Sequence, residues 1–307
     1  MQTSLALWIG FNAVVLALLV IDLAVLHREQ RAISIRESLA ATLGWIALAV
    51  GFGLWIMHRE GTAKGLEFFT GYLIEYALSM DNIFIFVLIF TSFKIAGDRQ
   101  HRLLFWGVLG AMVMRGVMIG AGAALLRTFE WVIYLFGAYI LYAGFRMLFH
   151  QAGAKVDVEQ NQVVRLARRF LPLSAGDHGG RFMVREGGRL KFTLLFLVLV
   201  VVELTDLVFA LDSIPAIFGV TNDPFIVYTS NICAILGLRS LYFLLAGAVK
   251  SLAYLHTGLA CVLIFIGAKM LGEDFLPIST ELSLLVVGGI LTISVIASLL
   301  KPRPALG

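Results

Sequence analysis

Five acidic residues lie inside strongly apolar stretches of this chain. Glu75 and Asp81 belong to the run EYALSMDNIFIFVLIF, and Glu203, Asp206 and Asp212 belong to a second apolar run. A carboxylate at the centre of a bilayer costs about 2.5–3.5 kcal/mol on insertion scales. Ionisable residues at that depth usually pair, bind ions or relay protons, so these five acids are the candidate functional groups.

The spacing of these acids repeats. Glu75–Asn82 and Asp206–Ser213 each begin with an acid, continue through five residues to an aspartate, and end with an amide or hydroxyl side chain. On an ideal helix the first and last residues of each segment share a face, joined in the first segment by Ser79. Asp81 and Asp212 lie about 100° round from that face. A straight helix therefore spreads each pair of acids over two faces.

The oxygen chemistry of this set predicts a site for a hard divalent cation such as Mn²⁺, Mg²⁺ or Ca²⁺. No histidine accompanies the acids, whereas a zinc or copper site normally includes His or Cys. Arg115 and Arg239 offset two of the five negative charges, which leaves three to be balanced by a cation or by protonation. The predicted metal ligands are Glu75, Asp81, Asn82, Glu203, Asp206, Asp212 and Ser213.

Four further polar residues are candidates for structural or coupling roles. We interpret Arg115 and Arg239 as structural counter-charges rather than ligands. Asn231 either bonds across helices or completes the site. Asp22 either balances the basic residues that follow it or lines the ion's exit. The alternative that the acids only pair with the two arginines accounts for two or three acids, not for all five.

The composition is that of a polytopic membrane protein. Of 307 residues, 60% are hydrophobic and 14% charged, with a mean hydropathy of +0.91. We predict an all-α fold, because backbone groups in lipid must be bonded within their own segment and no ten-residue alternation indicates a barrel. The nine predicted membrane spans are Leu5–Leu26, Glu37–Met57, Leu66–Phe93, Leu103–Leu126, Phe129–Phe149, Phe192–Gly219, Phe225–Val249, Leu252–Leu271 and Leu282–Leu300.

The basic residues predict the orientation. Eighteen of the 24 Lys and Arg residues fall in connections that are inside when the N-terminus is outside, and only Arg59, Lys64, Arg127 and Lys269 fall on the other side. This positive-inside bias predicts an N-terminus outside and a C-terminus in the cytoplasm. Since these residues serve topology, the net charge of +4 does not indicate nucleic-acid binding. The expected partners are the lipid bilayer, a divalent cation and protons.

Spans three to five match spans six to eight in order. Arg115 matches Arg239, and Gly144–Met147 matches Gly267–Met270. Because three helices is an odd number, the two units enter the membrane from opposite sides, which predicts an inverted three-helix repeat. The predicted divisions are two N-terminal helices (1–65), a first repeat (66–150), a cytoplasmic loop (151–190), a second repeat (191–271) and a C-terminal helix (272–307).

Spans three and six are unusually long. Each has 28 residues, or about 42 Å of helix against a hydrocarbon core of about 30 Å. Pro215 lies inside the second of them and removes a backbone donor. We therefore expect both spans to be tilted or locally broken beside their aspartates.

The strings EYALSMDNIFIFVLIF, DLVFALDSIPAIFGVTNDPFIVYTSNICAILGLRSLYFLL and DLAVLHR together resemble the TerC family, including its Alx-type members. The resemblance covers nearly the whole chain except the central loop. It implies a nine-helix protein of the bacterial inner membrane, linked in several members to manganese export and in others to tellurium resistance. Carried over by position, the family's acidic residues are Glu75, Asp81, Glu203, Asp206 and Asp212.

Residues and resemblance together favour a secondary transporter that exports Mn²⁺, with protons loading the vacated carboxylates and no tightly bound cofactor. The alternative is a membrane scaffold or assembly factor, or a tellurite-resistance protein without direct ion transport. An enzyme is not expected, because the acids lack the YD and GxGD pairing of intramembrane aspartyl proteases. Neutralising Asp81 and Asp212 separates these functions, since a scaffold keeps its activity and a cation pathway does not.

A cysteine introduced at Gln160 is expected to resist a membrane-impermeant thiol reagent in intact cells, because the 151–190 loop is predicted to be cytoplasmic. The reagent should reach this position only after the membrane is permeabilised. Labelling from outside in intact cells would contradict the predicted orientation.

Overall fold

A computed structural model describes residues 5–26, 35–149, 172–174, 176, 178–245, 254–275 and 277–300, with the backbone alone at 22–26, 81 and 98. This part of the chain contains ten helices and one two-stranded sheet. The elements are α1 (Leu5–Leu26), α2 (Ile35–Glu60), α3 (Thr62–Ser92), α4 (Gly97–Thr128), α5 (Val132–Phe149), β1 (Met183–Glu186), β2 (Arg189–Phe192), α6 (Leu194–Phe218), α7 (Pro224–Leu236), α8 (Leu238–Leu245), α9 (Leu255–Gly272) and α10 (Thr280–Leu300).

The predicted polytopic helical membrane fold is confirmed. Eight helical segments are long and apolar enough to cross a bilayer, with α7 and α8 counted as one segment. The apolar helix α1 adds the described stretch Leu5–Ile21. Several helices extend past the predicted spans; α4 starts at Gly97 rather than Leu103. Hydropathy marks the lipid-facing part of a helix, whereas the helix itself continues through polar turns outside the hydrocarbon.

Spans three and six were expected to be tilted or locally broken, and neither contains a local break. Helix α3 runs without interruption past Asp81, and α6 runs through Asp212 and Pro215. Pro215 lies in the last turn of α6, which ends three residues later, so little helix remains to be kinked. The interruption lies instead in the seventh span, where a turn at Gly237 separates α7 from α8.

The helices of the two predicted repeats pack across each other in pairs. Helix α3 contacts α7, α4 contacts α6, and α5 contacts α9 along most of its length. The α5–α9 pair crosses closely because Gly137 and Gly267 bring the two backbones together. This exchange of partners is what an inverted repeat requires, and the repeat itself stays a prediction.

A β-hairpin begins in the predicted cytoplasmic loop and ends at Phe192, two residues beyond the predicted end of that loop. Strands β1 and β2 are antiparallel and joined by Gly187 and Gly188, both with positive φ, as a two-residue hairpin turn requires. Phe182 at its base receives a cation–π contact from Arg102 of α4, so the hairpin lies against the membrane helices. Hydrogen bonding from Ser174, followed by that from Lys191, holds the pKa of Glu186 on β1 below its usual range.

Replacing Gly267 with alanine is expected to lower the free energy of unfolding by about 1–3 kcal/mol, the usual cost of overpacking. A Cβ at this position would lie 2.6 Å from the Leu141 nitrogen and 2.9 Å from the Gly137 carbonyl oxygen, so backbone must move. Gly289→Ala in α10 is the control, because nothing lies within 4 Å of its added Cβ. Thermal unfolding in detergent measures both, and equal unfolding temperatures would contradict the close crossing.

Candidate functional site

The guanidinium of Arg115 lies at the centre of the candidate site. It is 1% exposed and donates two hydrogen bonds to the carboxylate of Asp206, Nε to Oδ2 at 3.1 Å and Nη2 to Oδ1 at 3.0 Å. Its Nη1 donates to Glu75 and, at 3.0 Å, to Oδ1 of Asn231. Arginine suits this position because its planar fork can serve two carboxylates at once.

Two amide side chains extend the network. Asn231 donates from Nδ2 to Oε2 of Glu75 at 2.9 Å, while Asn82 donates to Oδ1 of Asp206 at 3.3 Å. Ser79 donates to Glu75 at 3.5 Å. The predicted shared face of Glu75, Ser79 and Asn82 is confirmed, because all three are buried on α3. Asn231 does bond across helices, as one of its two predicted roles requires.

This network, which we call the Arg115 cluster, joins four helices. Glu75, Ser79 and Asn82 come from α3, Arg115 from α4, Asp206 from α6 and Asn231 from α7. Two helices thus belong to each predicted repeat. Arg115 behaves as a counter-charge to Glu75 and Asp206, in keeping with the interpretation of the sequence.

Glu203 lies next to the Arg115 cluster without joining it. Its Oε2 is buried with no hydrogen-bond partner among the described residues. Its carboxylate rests against Gly110 of α4, where an added Cβ would clash with it at 2.0 Å. A cavity of about 20 Å³, lined in part by Glu203, Asp206 and Arg239, has room for one water molecule or one small ion.

Asp212 lies away from the Arg115 cluster and accepts a 2.8 Å hydrogen bond from the Tyr139 hydroxyl of α5. Ser213, one residue on, is buried with Asp206 on the shared face predicted for them, and its Oγ has no partner in the described structure. The side chains of Asp81 and Asp22 lie outside the described residues, so the predicted approach of Asp81 to Asp212 stays a prediction.

The structure therefore brings together Glu75, Asn82, Asp206, Arg115 and Asn231, with Glu203 adjacent, and places Asp212 apart. No group of three or more His, Cys, Asp or Glu residues is arranged to hold a metal ion in the described part of the chain. Sequence reasoning missed Tyr139 and Gly110. Neither residue belongs to a sequence pattern that marks it. Each is recognised only from the side chain that it contacts in the structure.

A large open cavity lies at one end of the bundle, with a volume of about 1560 Å³. We call it the charged cavity, because four basic and four acidic residues line it: Arg59, Lys64, Arg127, Lys269, Glu60, Glu67, Asp223 and Glu273. The four basic residues are those predicted to lie outside, so they do share one end of the molecule. Gly116, beside Arg115, also lines this cavity, which therefore approaches the Arg115 cluster.

Comparison with known proteins settles the family. The model of the "Integral membrane protein TerC family" matches residues 60–305. This chain belongs to the TerC family. An uncharacterized membrane protein of Myxococcus xanthus, STKORF319, is 48% identical over 302 residues, covering 98% of this chain and 94% of the relative. An Escherichia coli K12 protein named "Putative membrane-bound redox modulator Alx" is 43% identical over 300 residues, covering 94% and 93%. No solved structure matches.

Replacing Arg115 with methionine is expected to lower the free energy of unfolding by about 3–5 kcal/mol, because two buried carboxylates lose their cation. Arg115→Lys should fall between the native protein and the methionine variant, since one ammonium cannot form the same fork. Adding Glu75→Gln and Asp206→Asn to Arg115→Met should recover part of the loss. Thermal unfolding in detergent measures the series, and a fully stable Arg115→Met protein would contradict the ion pairs.

Proposed function

We propose that this chain is a secondary transporter that exports a divalent cation, Mn²⁺ in particular, in exchange for protons. The observation that carries the proposal is a set of buried oxygens without partners. Asn82 Oδ1, Glu203 Oε2 and Ser213 Oγ are all predicted ligands, and none has a hydrogen bond among the described residues. Buried polar atoms are nearly always bonded, so three unpaired ones among the candidate ligands favour a site that takes up a cation or water.

The ligand types favour Mn²⁺ or another hard divalent ion over a soft one. Carboxylate, amide and hydroxyl oxygens surround the guanidinium in the Arg115 cluster, and the small cavity beside Glu203 fits a single ion or water. Cys233 and Cys261 are only partly buried free thiols on α7 and α9, and neither lines this small cavity. Export rather than uptake rests on the resemblance to TerC-family members linked to manganese export.

Arg115 acts in this proposal as a resident cation. It neutralises Glu75 and Asp206 while no metal is bound, and an incoming ion must displace it from at least one carboxylate. The five predicted acids carry three more negative charges than the two arginines offset. One divalent ion reduces that excess to one, and a proton that enters as the ion leaves keeps the carboxylates from repelling each other. Rocking of the two repeats would expose the site to each side in turn.

In proteoliposomes with an imposed pH gradient, Mn²⁺ flux is expected to follow the gradient at constant membrane potential. Glu203→Gln and Asp212→Asn should each lower the flux at least tenfold, equal to about 1.4 kcal/mol, because each removes a proton-accepting carboxylate from α6. Glu130→Gln, which changes an exposed acid before α5, should leave the flux unchanged.

The outcome that overturns antiport is a flux indifferent to the pH gradient together with native transport by both α6 variants. Indifference to the gradient with loss of transport in the variants would point to a uniporter that uses the same residues. A reconstituted protein that moves no Mn²⁺, Mg²⁺ or Ca²⁺ under any gradient would contradict the transport function itself.

A further inference from the structure

An apolar groove runs along the lipid-facing side of the bundle between α1 and α2. Its volume is about 560 Å³, within the usual range for a ligand site, and α7 forms its floor. Its walls include Phe11 and Val14 of α1 and Leu48 and Phe52 of α2. Val14 is 58% and Leu48 is 50% exposed, so the groove opens sideways toward lipid. We call it the α1–α2 groove.

The groove exists because α1 meets the bundle through large side chains near one end. Trp8 packs against Phe225 with ring centroids 5.3 Å apart, and Phe11 packs against Phe52 at 5.2 Å. Beside these contacts, Gly51 of α2 lines the groove, and a Cβ added there would meet nothing within 4 Å. No neighbouring side chain therefore fills the groove at Gly51.

One end of the groove continues into the charged cavity. Leu7, Trp55 and Phe225 line both. Just past Trp55, the guanidinium of Arg59 lies over the Trp55 ring at 5.4 Å and pairs with Glu60 at 3.5 Å. Tryptophan and arginine at a helix end are typical of the membrane interface, so this pair lies at the depth of lipid headgroups.

We propose that the α1–α2 groove and the Arg59–Glu60 pair form a binding site for one phospholipid whose headgroup carries a phosphate and a primary ammonium. An acyl chain fills the groove, Arg59 donates hydrogen bonds to the phosphate, and Glu60 accepts them from the ammonium. The inference does not depend on the transport proposal.

Charge matching selects this headgroup. Arg59 and Glu60, at the end of the charged cavity beside Trp55, provide one positive and one negative group, which suits a zwitterion better than an anion. Lys64 is engaged with Glu67 at 2.7 Å and with Asp223 at 3.7 Å, whereas 53% of the Arg59 side chain is exposed. Lipid tails are as apolar as the groove, so exchange of one tail for another gains little and the headgroup contacts decide which lipid stays.

The test is native mass spectrometry of the full chain, released from nanodiscs that contain equal amounts of phosphatidylethanolamine, phosphatidylcholine and phosphatidylglycerol. The native protein should retain one phosphatidylethanolamine about tenfold over phosphatidylcholine, whose quaternary ammonium cannot donate a hydrogen bond to Glu60. Glu60→Gln should abolish that preference. Arg59→Gln should lower retention of both lipids, while Arg127→Gln on the charged cavity should leave it unchanged.

Gly51→Leu should lower retention of every lipid about tenfold by filling the groove. Gly44→Leu is its matched control, because this α2 position has open space around it and does not line the groove. Equal retention of the three lipids, or of lipid by Gly51→Leu and Gly44→Leu, would overturn the site. So would a lipid-free dimer that Gly51→Leu dissociates, since a second copy would then occupy the groove.

Discussion

A guanidinium buried away from water needs carboxylates beside it as counter-charges, and this requirement constrains the helices at the centre of the protein. Arg115 is 1% exposed, and its ion pairs reach Glu75 on α3 and Asp206 on α6. A buried ion pair contributes little net stability, because pairing only offsets the cost of removing both charges from water. Removing one partner strongly destabilises the protein, because it leaves the other charge buried and unpaired. The ion pairs of the Arg115 cluster therefore add little net stability. They fix the four helices relative to one another, because moving any one helix would leave a buried charged or polar group unpaired.

The proposed transport mechanism gives the carboxylates of Glu75 and Asp206 two alternative counter-charges. In that mechanism a divalent cation replaces the guanidinium of Arg115 beside Glu75 and Asp206, and the two cations exclude each other by charge and space. The charged cavity, lined in part by Gly116, approaches the Arg115 cluster. Glu203 lies beside that cluster, and its Oε2 has no hydrogen-bond partner among the described residues. A helix that stays unbroken through its acids, as α3 does, can present these groups without exposing backbone to lipid.

The sequence predicted the helices and the buried face of the site well, because both follow from periodicity. Apolar runs must be helical in lipid, and an offset of seven places Glu75 and Asn82 together. The prediction from sequence failed where contacts between distant segments determine the structure. A local break was one of two expectations beside Asp212, but α6 is continuous there and the interruption lies in the next span, at Gly237. Asp212 bonds to Tyr139, a partner on another helix. The closeness of Arg115 to Asp206, 91 residues apart, was suggested only by counting charges.

In the proposed mechanism, Arg115 and a divalent cation are alternative occupants of one carboxylate cluster. The most direct measurement is the Mn²⁺-induced rise in unfolding temperature of the Arg115→Met protein, compared with that of the native protein at the same Mn²⁺ concentration. At a fixed concentration, a ligand that binds the folded state more tightly stabilises it more. Removal of the competing guanidinium should therefore make the rise larger in Arg115→Met than in the native protein. An equal or smaller rise would contradict the claim.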